Sequence, residues 1–245
     1  YQSPVRLQKT FLARFCYEYI LIHERMKIIK GGLVVICLVM LVSCFGFTDK
    51  KESKKDIEKQ VYVPQEGIKV AYFASGCFWC VEAIFESLIG VEEAVSGYAG
   101  GKTLNPTYAK IGTGKTGHSE TVAVYYNPKK VSFETLVTVF FGSHNPTTVN
   151  GQHPDYGTQY RSIAFYNTVQ EKKIIEETIE KLSATVYKRK IATEVTAFTK
   201  FYKAEAYHQD YERRNPNQSY VKAVSVPRLN KFKKKFPALL KSEKH

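Results

Sequence analysis

The order of apolar segments between residues 68 and 198 is the feature that most restricts the fold of this chain. Strand-like runs and segments of helical periodicity alternate as strand, helix, strand, strand, helix and strand. The predicted strands cover residues 68–74, 91–101, 120–126 and 161–166, and the predicted helices begin at Cys77 and after Ser132. This order is the split βαβ arrangement, so the sequence predicts an α+β fold, a ferredoxin-like α/β sandwich with a mixed sheet in a single domain.

Cap and loop signals add detail to this outline. Ser132 is a predicted helix N-cap, and residues 168–171 (Thr-Val-Gln-Glu) match a capping box that opens a further helix. Residues 143–159 have no periodicity and contain proline and glycine, which predicts a long functional loop. A short strand is expected at residues 194–198, and a helix around residues 204–211.

The hexapeptide of residues 75–80, Ser-Gly-Cys-Phe-Trp-Cys, joins the first predicted strand to the first predicted helix. Cys77 falls at the helix N-terminus, where the dipole favours an anion, so we expect its thiol pKa to be lowered toward neutrality. Cys80 lies on the same helix face, at a separation that a disulfide can span. The sequence therefore predicts a pair that cycles between dithiol and disulfide. The same periodicity predicts that Glu82 and Glu86 face solvent.

No other cysteine of the predicted folded region can exchange with Cys77 and Cys80. The chain has 5 cysteines, and Cys16, Cys37 and Cys44 precede the pair. A single pair is typical of redox chemistry, not of a structural disulfide framework. Two alternatives stay open: a general thiol-disulfide exchange protein, and a lipid-anchored binding module in which the pair binds structural zinc with His118 and His208. Neither histidine has ligand spacing to a second residue, which weakens the zinc alternative.

Glu120 stands in an otherwise apolar predicted strand. An ionised carboxylate is costly to bury, so we expect the pKa of Glu120 to be raised. A carboxyl group with a raised pKa is suited to donate a proton. A glutamate at a strand edge that faces water is the alternative.

Five short motifs occur in order along residues 68–215: Gly76-Cys77-Phe78-Trp79, Tyr98-Ala99-Gly100-Gly101, Asn105-Pro106-Thr107-Tyr108, Gly117-His118-Ser119-Glu120 and Gly157-Thr158-Gln159-Tyr160-Arg161-Ser162. In order and spacing they resemble the motifs of the peptide methionine sulfoxide reductase A (MsrA) family. The resemblance implies reduction of methionine sulfoxide, the S epimer, peptide-bound or free, to methionine.

The resemblance also implies roles for single residues: Cys77 as the nucleophile that becomes a sulfenic acid, Glu120 as the general acid, Tyr108 and Tyr160 as donors to the sulfoxide oxygen, Phe78 and Trp79 as a pocket for the methyl group, and Asp155 as a residue near the site. Because no cysteine follows Cys80, only Cys80 can resolve the intermediate within the chain. Thioredoxin or a similar dithiol protein is the expected reductant. No metal, flavin or nucleotide cofactor is expected.

Residues 26–43 have the pattern of a signal peptide, with basic residues before an apolar run too short to span a bilayer comfortably. Leu41-Val42-Ser43-Cys44 resembles the bacterial lipobox, in which the chain is cut before an acylated cysteine. We therefore expect lipidation of Cys44, a polar tether over residues 44–66, and a lipoprotein of the bacterial cell envelope facing the periplasm or the exterior. Residues 1–25 are then an upstream extension. A single N-terminal membrane anchor and a mitochondrial transit peptide are the alternatives.

Basic residues dominate the chain, which has a formal net charge of +13, and many of them lie in residues 216–245. Nucleic-acid binding is not predicted, because this segment offers neither a recognition helix nor aromatic residues on a sheet. We expect a monomer whose reductase domain covers residues 67–215. Residues 216–245 are predicted to form a solvated basic tail that could face anionic lipid.

Overall fold

The computed structural model describes residues 62–242. None of the helices in that range is both long and apolar enough to cross a membrane. The predictions for residues 1–25, for the signal peptide of residues 26–43, for acylated Cys44 and for most of the tether of residues 44–66 lie outside the described residues.

Eight strands and six α-helices are found within residues 62–242. The strands are β1 (Lys69–Ser75), β2 (Val91–Ala99), β3 (Ser119–Tyr126), β4 (Gly151–Gln152), β5 (Asp155–Tyr156), β6 (Ser162–Tyr166), β7 (Glu194–Ala197) and β8 (Phe201–Lys203). The helices are α1 (Phe78–Glu86), α2 (Tyr108–Gly112), α3 (Phe133–Gly142), α4 (Val169–Thr185), α5 (Tyr211–Arg214) and α6 (Val226–Lys235). A π-helical turn, Val221–Ser225, leads into α6.

The main sheet has the strand order β7-β6-β1-β3-β2-β8. Its four central strands are mutually antiparallel, as the split βαβ arrangement requires. At one edge β7 runs parallel to β6, and at the other β8 runs antiparallel to β2, so the sheet is mixed. The predicted fold class is confirmed.

The central position of β1 explains its nearly continuous apolar sequence. Ala71, Phe73 and Ala74 are fully buried, and the Phe73 ring lies between those of Phe85 on α1 and Phe140 on α3, with centroids 5.2 and 5.1 Å away. Burial of a phenylalanine side chain contributes roughly 1.5–3 kcal/mol. These aromatic contacts fix both helices against the sheet.

Both predicted helix caps are confirmed. Ser132 Oγ accepts a hydrogen bond from the Thr135 N–H at 3.0 Å at the start of α3. Thr168 Oγ1 accepts one from the Glu171 N–H at 3.1 Å at the start of α4. Each bond satisfies a backbone donor that the first turn of a helix leaves unpaired.

The prediction of a helix around residues 204–211 is wrong. Residues Phe201–Lys203 form strand β8, which pairs with β2. A 3-10 turn, Ala206–His208, and the short α5 follow it. Gly97 on β2 permits this pairing, because a Cβ atom there would lie 2.3 Å from Phe201 Cζ. After β8, the Gln209 side chain bonds the Ser96 backbone and the Asp210 N–H donates to Glu82, and these long-range bonds override local helix propensity.

The prediction that residues 216–245 form a solvated basic tail is also wrong. Val221 and Phe232 are buried in the core, and the Ile89 N–H donates to the Leu239 carbonyl at 2.9 Å. The lysines of α6 cover its outer side while apolar residues between them face the domain, a typical amphipathic pattern. The folded domain therefore extends well beyond residue 215.

Candidate active site

A tight turn at Gly76 connects β1 to α1 and presents the two thiols. Gly76 has φ +87°, and a Cβ atom there would lie 2.8 Å from Gln152 Cβ, so both backbone conformation and space require glycine. Cys77 follows as the N-cap residue of α1. Cys77 and Cys80 are both free thiols, with residue exposures of 6% and 1%.

The two thiols are hydrogen-bonded to each other and to hydroxyl groups. Cys80 Sγ lies 3.0 Å from Ser225 Oγ. The Tyr220 hydroxyl is within hydrogen-bonding reach of Cys77 and donates to Asp155 Oδ2 at 2.5 Å. The reactive pair is thus enclosed by groups from the loop after α3 and from the C-terminal segment.

Burial raises the pKa of the Cys77 thiol well above its usual value, and the hydrogen bond with Cys80 and the nearby charge of Glu120 act in the same direction. The pKa of Cys80 is instead lowered, first by the hydrogen bond from Cys77 and then by the Arg228 guanidinium. The expectation that the helix dipole lowers the pKa of Cys77 is therefore wrong. Desolvation opposes the helix dipole at Cys77 and outweighs it.

Glu120 lies directly beside the turn that carries Cys77. Its Oε2 atom accepts a hydrogen bond from the backbone N–H of Phe78 at 3.0 Å, and the residue is 2% exposed. Burial raises the pKa of Glu120 to about 8, although this hydrogen bond acts in the opposite direction. The carboxyl group is therefore mostly protonated at neutral pH, as its apolar strand led us to expect.

An aromatic cage formed by Phe78, Trp79, Tyr108 and His208 adjoins Cys77. The His208 ring centroid lies 5.0 Å from that of Phe78 and 4.3 Å from that of Tyr108. Trp79 Nε1 donates to His208 Nδ1 at 3.1 Å, which fixes the ring orientation. Burial lowers the pKa of His208 to about 4, so the ring is neutral. The cage offers apolar faces suited to a small methyl group beside sulfur.

Tyr108 and Tyr160 approach the same site. Burial raises the pKa of Tyr108 to about 12 and raises that of Tyr160 as well, with the charge of Glu120 the next cause in both cases. Both hydroxyls therefore remain protonated donors. The Tyr108 backbone N–H donates to Glu205 Oε1 at 2.9 Å, which anchors the start of α2. Asp155, whose pKa is raised by burial, lies at the rim through its bond to Tyr220.

The zinc alternative is not supported by the positions of the histidines. His118 is held away from the thiols, with Nδ1 accepting from the Gly101 N–H at 3.1 Å and Nε2 lying 2.8 Å from the Thr103 carbonyl. Among the described residues, the group close enough to hold a metal ion consists of Glu82, Glu86 and Asp210 and contains no thiol. His208 lies in the aromatic cage, where its Nδ1 atom accepts the hydrogen bond from Trp79, so the two histidines do not converge on the thiols as a zinc site would require.

The C-terminal segment contributes site residues that sequence reasoning missed. Tyr220 and Ser225 contact the thiols, and Arg228 donates from Nη2 to the Ser75 carbonyl at 2.9 Å and from Nε to the Ser143 carbonyl at 3.1 Å. The signal that could have revealed them is the apolar spacing within the basic run. That spacing predicts a helix packed on the domain.

Glu82 contradicts the expectation that it faces solvent. It is 2% exposed, and it accepts hydrogen bonds from Ser96 Oγ and from the Asp210 N–H. Burial raises the pKa of Glu82 to about 8. This buried carboxyl group connects α1 to β2 and to the segment before α5, and so supports the helix that carries the thiols.

A family model described as peptide methionine sulfoxide reductase matches residues 69–240. The chain is 49% identical over 170 residues to peptide methionine sulfoxide reductase MsrA 1 of Rhodopirellula baltica, covering 69% of this chain and 88% of the relative. It is 44% identical over 179 residues to MsrA of Thermus thermophilus, covering 73% and 99%. Among solved structures it resembles methionine sulfoxide reductase A of Corynebacterium diphtheriae, with TM-score 0.58, 37% identity and coverage of 63% and 78%. Reduced Mxr1 of Saccharomyces cerevisiae gives TM-score 0.59, 33% identity and coverage of 65% and 92%.

Proposed function

The chain belongs to the peptide methionine sulfoxide reductase family, and from that premise we propose that it reduces methionine sulfoxide through a sulfenic acid on Cys77 and a disulfide with Cys80. One observation carries this assignment. Glu120, mostly protonated at neutral pH, accepts a hydrogen bond from the residue next to Cys77. A nucleophile and a proton donor thus lie side by side next to the aromatic cage, as reduction of a sulfoxide requires.

In the first step, Cys77 attacks the sulfur of the sulfoxide. Its proton passes to the Cys80 thiolate along the hydrogen bond that joins them, and Glu120 donates its proton to the sulfoxide oxygen. The hydroxyl group then transfers to Cys77 as the bond between the two sulfurs breaks, and methionine leaves with the electron pair. Tyr108 and Tyr160 stabilise the charge that develops on oxygen. The products are methionine and a Cys77 sulfenic acid.

In the second step, the Cys80 sulfur attacks the sulfenic sulfur of Cys77. A sulfur-sulfur bond forms, and the hydroxyl leaves with the Cys80 proton as water. Ser225 and Arg228 stabilise the thiolate form of Cys80, which is the form that attacks. The enzyme is then oxidised by two electrons and needs an external reductant before another cycle.

A turnover assay tests the proposed function. The purified protein is given the S or the R epimer of methionine sulfoxide with dithiothreitol, and methionine is measured by chromatography. We expect sustained methionine formation from the S epimer and little from the R epimer. A protein that reduces insulin disulfides yet forms no methionine from either epimer would instead be a general thiol-disulfide exchange protein.

We propose that a thioredoxin-type dithiol protein reduces the disulfide. The bond joins two residues in the first turn of α1, and Cys77 is the more exposed of the two. Attack of an external thiolate on Cys77 would release Cys80 as the leaving group, which its lowered pKa favours. Oxidation of NADPH through thioredoxin reductase, thioredoxin and this protein measures that route. Turnover with dithiothreitol but none with thioredoxin would exclude it.

We further propose that Cys44 is acylated and anchors the enzyme in the bacterial cell envelope. The support is Leu41-Val42-Ser43-Cys44 after a short apolar run. The family match begins at residue 69, which leaves room for a tether after Cys44. Cys44→Ala should abolish labelling of the protein by a fatty-acid analogue in bacterial cells, whereas Cys37→Ala, the matched control, should not. Retained labelling in Cys44→Ala would contradict the proposal.

A further inference from the structure

A groove of about 1460 Å³ opens beside the active site. Asp155 and Tyr220 are among its lining residues, and the Tyr220 hydroxyl reaches the Cys77 thiol. The other walls of the groove come from the loop after α3, from the segment after α4 and from α6. A chain bound there would therefore lead directly to the reacting sulfur.

The groove is strongly positive. Its basic residues are Lys188, Arg189, Arg228, Lys231, Lys234 and Lys235. Asp155 is the one carboxylate among the described residues that line it. We call this surface the basic groove.

The outer cations of the basic groove are exposed and available. Within residues 62–242, no salt bridge involves Lys188, Arg189, Lys231 or Lys234. Each of these four is exposed. Uncompensated cations in a concave surface concentrate positive potential and attract an acidic ligand.

The spacing of these cations matches an extended peptide. Arg228, Lys231 and Lys234 recur every three residues along α6, so Lys234 lies about 9 Å further along the helix axis than Arg228. Arg228 bonds the carbonyl of Ser75, two residues before Cys77. An extended peptide advances about 3.3 Å per residue, so three residues cover this distance.

We propose that the basic groove binds the acidic flank of a peptide substrate, with aspartate or glutamate about three to five residues from the methionine sulfoxide. The proposal rests on the proposed function and adds its substrate class. The substrate is the proposed occupant because the lining residue Tyr220 reaches the Cys77 thiol, the atom that attacks the sulfoxide. Charge complementarity of this kind raises association rates and selects among partners.

Matched peptides test the proposal. Each contains one methionine sulfoxide and a charged flank at the third to fifth residues from it. The flank is three glutamates or three lysines, and it lies on the N-terminal side in one pair of peptides and on the C-terminal side in the other. Dithiothreitol is the reductant, so no partner protein takes part. We expect kcat/KM for the better acidic peptide to exceed that of its lysine counterpart about tenfold at low salt. The ratio should shrink as salt is added, because the charges are solvent-exposed.

Paired variants locate the effect. Lys231→Gln with Lys234→Gln should bring the ratio close to one, while kcat/KM for free methionine sulfoxide, which has no flanks, stays unchanged. The control, Lys129→Gln with Lys181→Gln, removes two exposed lysines outside the groove and should keep the wild-type ratio.

Two outcomes would overturn the proposal: equal kcat/KM for the acidic and lysine peptides in the wild type, or a preference that survives in the groove variant. If the groove instead receives the reductant, the peptides will not differ and only the KM for thioredoxin will rise in the groove variant. Failure to reduce even free methionine sulfoxide would contradict the proposed function itself.

Discussion

Protonated Glu120 favours the reaction in two ways. It can donate a proton to the sulfoxide oxygen, and it carries no negative charge that would raise the pKa of Cys77. Its pKa of about 8 keeps the group mostly protonated at neutral pH, so it can protonate the sulfoxide oxygen. Once Glu120 is ionised it cannot donate, and its negative charge also raises the pKa of Cys77. Both effects slow the attack as pH rises.

Replacing this carboxyl group with an amide should separate the two effects. In Glu120→Gln we expect the single-turnover rate of methionine formation at neutral pH to fall on the order of 10²-fold, because the proton donor is lost. In the wild type the rate should decline as pH rises through about 8, where Glu120 loses its proton. That decline should be absent in the variant. Quench-flow measurements between pH 6 and 10 would contradict this role if the variant kept the wild-type rate.

The two residues whose environments were mispredicted show what a sequence pattern lacks. Helical periodicity placed Cys77 at a helix N-terminus correctly, but its pKa depends on burial by distant segments. Glu82 was expected to face solvent because its own helix gives it a polar side. The segment around Asp210 covers that side, 128 residues away in the chain. Contacts of this range leave no trace in local periodicity.

At the scale of elements, the π-helical turn Val221–Ser225 and α6 complete the site. The turn places the Ser225 hydroxyl 3.0 Å from Cys80 Sγ, and α6 places Arg228 against the Ser75 carbonyl before the Cys77 turn and the Ser143 carbonyl after α3. π-helical turns are rare and often occur at functional sites. Through Ser225 and Arg228, these two elements stabilise the thiolate of Cys80.

Ser225→Ala tests whether this hydroxyl stabilises the Cys80 thiolate. Loss of one hydrogen bond to the thiolate costs about 1 kcal/mol or more, so we expect the pKa of Cys80 to rise and disulfide formation to slow several-fold. Sulfenic acid on Cys77 should then accumulate and be trapped by dimedone. The yield of methionine in the first turnover should not change. Ser87→Ala, on the same α1 side of the domain but bonded to the Ile84 carbonyl, is the control. Unchanged Cys80 titration in Ser225→Ala would contradict the role.

The succession of the central strands along the chain and the two helix caps could be predicted, because each depends on a local sequence pattern. Alternation, apolar runs and capping residues lie within a few positions of one another. Strand β8 and the packed C-terminal segment could not, because they depend on partners far along the chain. β8 needs the space above Gly97, and α6 needs a domain surface to cover. A run of lysines alone does not distinguish a solvated tail from the outer side of a packed helix.

For the whole molecule, buried carboxyl groups make stability depend on pH. The folded-state pKa of Glu82 is about 8, above the usual value of 4.5, so the folded state binds a proton that the unfolded state releases. The stability from that proton is fully present below pH 4.5 and is lost as pH rises through about 8. Glu120 contributes with the same sign. The free energy of unfolding therefore decreases at alkaline pH, where these two carboxyl groups lose their protons.

Glu82→Gln isolates one part of this dependence. Glutamine imitates the protonated acid, because its carbonyl can accept from the Asp210 N–H while its amide donates to Ser96 Oγ. The free energy of unfolding of the wild type minus that of the variant should fall by on the order of 4 kcal/mol between pH 5 and pH 8.5. Urea denaturation at each pH measures it. A constant difference across that range would show that Glu82 is ionised in the folded state throughout.

The central claim is that Cys77 reduces the sulfoxide and Cys80 resolves it, and the yield of methionine per enzyme without added reductant tests it most directly. The wild type should form one equivalent and lose both free thiols. Cys80→Ser should also form one equivalent, although more slowly because the thiolate that accepts the Cys77 proton is lost. It should leave a Cys77 sulfenic acid that dimedone traps, and then fail to turn over with thioredoxin. Cys77→Ser should form none, because a serine hydroxyl is far too weak an acid to replace the thiol. Methionine from Cys77→Ser, or sustained thioredoxin-driven turnover in Cys80→Ser, would contradict the account.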